Sequence, residues 1–233
     1  MKTLLPILAL TALVACGRNR YDSRERERES QHYRESIDGK GAKEVKAIVH
    51  MSAGELRIAG GAAGKLLEAD IQTSGDRPKV RYDDGSRGRL EISEEGTNFH
   101  LGNTKNDWDL RLSEKTPIDL EVHLGAGEAR IDLSDVILHS LVIHMGAGEL
   151  DLDLRGDYPS DVDIEIHGGV GEAKLKLPRH ANIDAEVHGG LGDVSAHGLE
   201  QHDDRYVNRG SAGARRMTLQ IHGGIGHIDL DAN

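Results

Sequence analysis

Residues 118–133 read IDLEVHLGAGEARIDL, and the chain repeats this pattern to its end. It returns as VIHMGAGELDLDL from Val142, IEIHGGVGEAKLKL from Ile164, AEVHGGLGDVSA from Ala185 and QIHGGIGHIDLDA from Gln220. Before the glycines, Ile118, Leu120, Val122 and Leu124 alternate with Asp119, Glu121 and His123. After them, Ala129, Ile131 and Leu133 alternate with Glu128, Arg130 and Asp132. Period two on both sides of a bend means two strands, each with one buried face. His123, His144, His167 and His188 are spaced by 21, 23 and 21 residues, and His222 follows after 34. A repeat of that length without helical period matches one coil of a β-solenoid. The expected fold is all-β: a right-handed single-stranded β-solenoid of 21–23-residue coils over residues 108–233, with an insertion near 196–216. A less regular β portion, 43–107, precedes it and holds an earlier copy, VHMSAGELRI from Val49, and a fragment, FHLGN from Phe99.

The bend has its own pattern. The residue after His and the residue between the glycines pair as Met51/Ala53, Leu124/Ala126, Met145/Ala147, Gly168/Val170, Gly189/Leu191 and Gly223/Ile225. Large is followed by alanine and glycine by a branched aliphatic, so the volume exchange predicts that both positions fill one stacked interior. The repeated glycines supply a bend with positive φ at no Cβ penalty. Coils stack roughly 4.8 Å apart, so outward residues form columns. Arg130, Asp151 and Lys174 make one column, and Asp132, Asp153, Lys176 and His197 another. Asp229 and Asp231 would then blunt the terminal edge.

One column does not balance. Glu128, Glu149, Glu172 and Asp193 would stack like on like, across the bend from His123, His144, His167 and His188. Imidazole and carboxylate are both ligands for zinc or another divalent cation, so these eight are the candidate metal residues. Zinc ligands usually converge whereas these spread along a line, which fits solvated turn residues better, and a histidine row also titrates near pH 6.5. The insertion carries His197, His202, Asp203 and Asp204, a second place where a ligand could sit. GGAAGKL from Gly60 lacks the spacing and the Ser or Thr of a phosphate loop. There is no G-x-S-x-G elbow and no cysteine besides Cys16, so no catalytic residue is assigned.

The chain carries a net charge of −11 and no basic patch, which argues against nucleic acid. At the amino end, Lys2 and the apolar stretch Leu4–Leu13 run into Leu13-Val14-Ala15-Cys16, which resembles a bacterial lipoprotein lipobox. The resemblance implies a signal peptide over 1–15 and lipid on the thiol of Cys16. With Gly17 behind it, it also implies sorting to the outer membrane where the cell has one. Residues 16–42 include RNRYDSRERERESQHYRES, too charged to bury surface, and read as a flexible tether.

The stretches VHMSAGELRIAGGAAGKLLEADI, PKVRYDDGSRGRLEI and WDLRLSEKTPIDLEVHLGAGEARIDLSDVILHSLVIHMGAGELDLDL resemble the toast-rack family of bacterial envelope proteins. They are also similar to adhesin-like solenoid domains and to the C-terminal part of LiaF-type proteins. The resemblance implies a β-solenoid, often secreted or membrane-tethered, without established catalytic residues. The leading expectation is a non-enzymatic, lipid-anchored envelope protein. It would act as a scaffold or adhesin-like module toward an envelope protein or glycan. A divalent-cation or pH-responsive sensor built on the His and acid columns is the alternative, and a glycan-active solenoid enzyme the third.

Overall fold

The computed structural model describes residues 30–94 and 105–233; Cys16, the lipobox, most of the expected tether and the FHLGN fragment lie outside them. Among the described residues thirteen strands follow one another: β1 (Gln31–Ile37), β2 (Glu44–Gly60), β3 (Leu67–Thr73), β4 (Lys79–Asp83), β5 (Arg87–Ser93), β6 (Asn106–Leu112), β7 (Ile118–Asp132), β8 (Leu138–Asp153), β9 (Val162–Lys176), β10 (Asn182–His197), β11 (Glu200–His202), β12 (Arg205–Asn208) and β13 (Arg216–Asp231). Every repeat is one long strand that bends at its glycines, and β2, β7, β8, β9, β13 and β10 stack in parallel and in register. His lies on His throughout, and so does the second bend glycine on its equivalent, from Gly54 to Gly192. The alternating apolar residues of both arms face each other inside the bend and make one continuous core.

At β2 the stack forks. Its first arm pairs with β5 and its second with β6, so the two arms continue as β5–β4 and as β6–β3–β1. Trp108 fills the fork, fully buried, and its indole N–H donates to Asn106 Oδ1 at 2.9 Å. Asn106 Nδ2 in turn donates to the Ala53 carbonyl at 2.7 Å. The portion before residue 108 is therefore joined to the repeats by one sheet.

Four expectations need correction. First, the charged stretch is not tether up to residue 42, because Gln31–Ile37 is an edge strand antiparallel to β3. Its ladder needs only backbone groups, while Tyr33 and Ile37 pack on the core and Arg34 and His32 both reach Asp70. Second, the coils are not stacked in chain order: β13 lies between β9 and β10. The long interval before His222 holds the β11–β12 hairpin, which pairs with the outer edge of β10 and lets the chain return to the open slot. Third, Asp229 and Asp231 consequently do not blunt an edge; they face Lys174 and Lys176 inside the sheet.

Fourth, the two bend positions do not share an interior. Met51, Leu124 and Met145 are buried, but Val170 is 56% exposed. The reason is the backbone turn at the second glycine, where Gly54, Gly127, Gly148, Gly171, Gly192 and Gly226 all have positive φ. That turn swings the preceding residue off the inward face. A Cβ added at Gly168 or Gly189 would meet nothing within 4 Å, at Gly223 the Ile228 side chain comes within 3.3 Å of that place, and a void of about 70 Å³ opens beside the three glycines.

The packing explains why the glycines repeat. At Gly125, Gly146, Gly169, Gly224 and Gly190, a Cβ would point along the stack into the carbonyl of the neighbouring coil. The equivalent residue of β2 is Ser52, which carries a side chain at the fork, where no strand among the described residues lies beside it. Its amide instead donates to Glu94 Oε2 at 3.0 Å.

Candidate functional site

Histidines precede each bend on the outward face of the first arm, so stacking the coils stacks their rings. The row runs His50, His123, His144, His167, His222, His188, with centroids 4.5, 4.7, 4.8, 5.1 and 5.3 Å apart and planes within 22°. It borders a shallow groove of about 590 Å³ whose floor is the bend, with Ser52, Gly125, Gly146 and Gly169. The groove's far end is walled by Glu94.

Carboxylates support every second ring. Glu121 lies 2.8 Å from His123, Glu165 2.6 Å from His167 and Glu186 3.1 Å from His188, each two residues earlier on the same strand. The corresponding residues beside His50, His144 and His222 are Ile48, Val142 and Gln220. The alternation is complete only because β13 separates β9 from β10. These glutamates are partners that the sequence reading passed over, though the His-minus-two position carried the signal.

Burial lowers the pKa of His144, and His123 and His167 on either side lower it further against the attraction of Glu121 and Glu165. His50 is lowered in the same way, by burial first and then by His123 and Arg89, against Glu91 and Glu121. Glu121 is held down to about 2, by its hydrogen bond with Lys46 and then by that with His123.

A histidine whose folded pKa is depressed stabilises the fold fully above its unfolded value and progressively less as pH falls toward the folded one. The melting temperature should thus hold above about pH 6.5 and decline below it. Glu121 contributes nothing to that decline above about pH 4.5, since its own advantage is lost only between there and about 2. Thermal melts from pH 8 to 5 should show the slope, and His144→Gln should flatten it; an unchanged slope in that variant would remove His144 as its source.

The acid column is broken by the strand order. Its sequence across the sheet is Glu55, Glu128, Glu149, Glu172, His227, Asp193, so the histidine that ends the last repeat separates Glu172 from Asp193. Glu128 also pairs with Arg130, and Glu172 with Lys174 at 2.8 Å. In the insertion, His202 lies 3.9 Å from Glu200, and Asp203 forms the hairpin turn with φ 54°. His123, His144, His167 and His188 make the row, whereas Glu128, Glu149, Glu172 and Asp193 lie beyond the bend. Among the described residues the one group of three ligand side chains with donor atoms within 4.8 Å of one another contains none of these eight.

The model of the N-terminal domain of toast_rack, DUF2154, matches residues 26–176. Among solved structures, a candidate cell adhesion protein from Clostridium sporogenes has a TM-score of 0.83 and 31% identity, covering 87% of this chain and 99% of its own. A candidate adhesin from Bacteroides fragilis covers 87% and 97% at 13% identity, with a TM-score of 0.34. A search of curated proteins finds no match. With the match spanning β2, β7, β8 and β9, and a solved relative of nearly the same extent, the chain belongs to the toast-rack family.

Proposed function

We propose that this chain is a non-enzymatic, adhesin-like binding module of the bacterial envelope, tethered by lipid on Cys16 and turning its stacked face toward an envelope protein or glycan. The observation that carries the reading is the likeness to the Clostridium sporogenes candidate cell adhesion protein over nearly its whole length. The surface chemistry supports it. Outward charges are largely paired within the sheet, as in Lys46–Glu121, Arg155–Asp153 and Lys176–Asp151, which leaves the histidine groove as a chemically distinct strip. In a cell with an outer membrane, Gly17 behind the lipidated cysteine directs the protein there.

The test is binding of the full chain to isolated envelopes and to purified envelope glycans, with the polymers checked for cleavage. Saturable binding without turnover is expected, and Cys16→Ala should stop incorporation of labelled palmitate and release the protein from membranes. Turnover of a glycan would replace this reading with an enzymatic one. The alternating row favours a second reading, a pH-responsive module. If binding survives His144→Ala with His167→Ala at every pH, the row is structural; if its pH dependence disappears, the row is the sensor.

A further inference from the structure

We infer that Glu44, Asp119 and His139 form a binding site for a divalent transition cation such as zinc. Their ligand atoms lie within 4.8 Å of one another, and all three residues are half-buried. They come from the adjacent strands β2, β7 and β8, and a bulge brings them together. The register between β7 and β8 slips at Ile118 and Asp119, which face Leu138 and Ser140, so His139 is the extra residue. A bulge re-aims one side chain without disturbing the strand on either side, and here it sets an imidazole beside two carboxylates.

The charges around the cluster are not closed by the protein itself. Asp119 faces Lys46 across the sheet, but the Lys46 ammonium is engaged with Glu121 at 2.8 Å. Asp119 receives only a hydroxyl, from Ser140 Oγ at 2.8 Å, which fixes one oxygen and leaves the other free. His139 has no hydrogen-bond partner among the described residues. Glu44 accepts from Arg87 through both oxygens, at 3.2 and 3.4 Å, but that guanidinium is largely in water. Two half-buried carboxylates and an imidazole, with one exposed guanidinium as their only cationic partner among the described residues, suit a divalent ion that accepts mixed oxygen and nitrogen donors. Bond lengths of about 2.0–2.2 Å require the three donors to draw closer than they stand now, which side-chain rotation allows, and water completes the shell. Ser140 would orient Asp119 as an outer-shell partner. Arg87 is the competitor and must swing away.

This site is separate from the histidine row. Asp119 is four residues from His123 on the same strand, roughly 13 Å along it. Chelator-treated full chain, purified in detergent, would be titrated calorimetrically with zinc chloride and, in parallel, with calcium chloride. One zinc per chain and weaker or no calcium binding are expected. His139→Ala should weaken zinc by at least about 100-fold, since even outer-shell losses cost 10–100-fold. Asp119→Asn should weaken it too, and Arg87→Ala should tighten it. His144→Ala with His167→Ala should leave it unchanged. Circular dichroism without metal checks that each variant is folded. Absence of zinc binding, or binding that survives His139→Ala, overturns the inference, and binding lost only in the row variant moves the metal to the row.

Discussion

Gly148→Ala is expected to leave the chain unable to fold, or to destabilise it by at least about 4 kcal/mol, the range reserved for exceptional single substitutions. Two costs coincide at this residue. Its φ is +134°, which side chains rarely adopt, and an added Cβ would meet the Gly127 carbonyl oxygen at about half the roughly 3.5 Å of an ordinary contact. Neither the stack nor the neighbouring backbone can yield, because Gly127 is pressed in the same way against Gly54. Gly168 and Gly169 provide an internal control. A Cβ on Gly169 would strike the Gly146 carbonyl, whereas one on Gly168 meets nothing within 4 Å and faces the void at the bend. Gly169→Ala should therefore be severe, while Gly168→Ala should stabilise by about 0.4–1 kcal/mol through the unfolded chain. Urea denaturation of the variants distinguishes them; equal effects at Gly168 and Gly169 would mean that the coils are not packed backbone to backbone.

Removing residues 216–233 should abolish cooperative folding. In a solenoid wound in chain order, losing the last coil exposes one interface and leaves the others intact. Here β13 is bonded along both edges, to β9 and to β10, so its loss opens the sheet in the middle. Met217, Leu219, Ile221 and Leu230 are almost fully buried, and at about 1.5–3 kcal/mol for each large side chain they account for roughly 6–12 kcal/mol. That is comparable to the whole stability of an ordinary domain, about 5–15 kcal/mol. The prediction is checked by the circular dichroism melt of the shortened chain. A sharp transition only slightly below that of the full chain would place β13 at an edge.

The order of the strands also has a cause that the sequence contains but does not announce. Beside β9, β10 would set Asp184 against Asp163, Glu186 against Glu165 and Asp193 against Glu172, three like-charge pairs. With β13 in the slot those three residues face Thr218, Gln220 and His227, and Lys174 and Lys176 gain Asp229 and Asp231. Each such cross-strand difference is worth about 0.2–1 kcal/mol, and all five act in one direction.

What the sequence alone determined is whatever depends on near neighbours: the period-two strands, the glycine bend, the stacking of like on like and the row of histidines. These are local because side-chain alternation and φ preference are properties of a few consecutive residues. Which copy lies beside which is settled in the folded chain. All copies carry the same motif and offer the same backbone edge, so hydrogen bonding cannot choose among them, and the choice rests on pairs of residues distant in sequence. The alternate carboxylate support of the row and the place of His227 between Glu172 and Asp193 follow from that choice. The outward turn of Val170 and the meeting of Glu44, Asp119 and His139 arose otherwise, from a twist at one glycine and a one-residue slip of register. Those displacements move a side chain to a new face without altering the pattern of apolar and polar residues from which a fold is read.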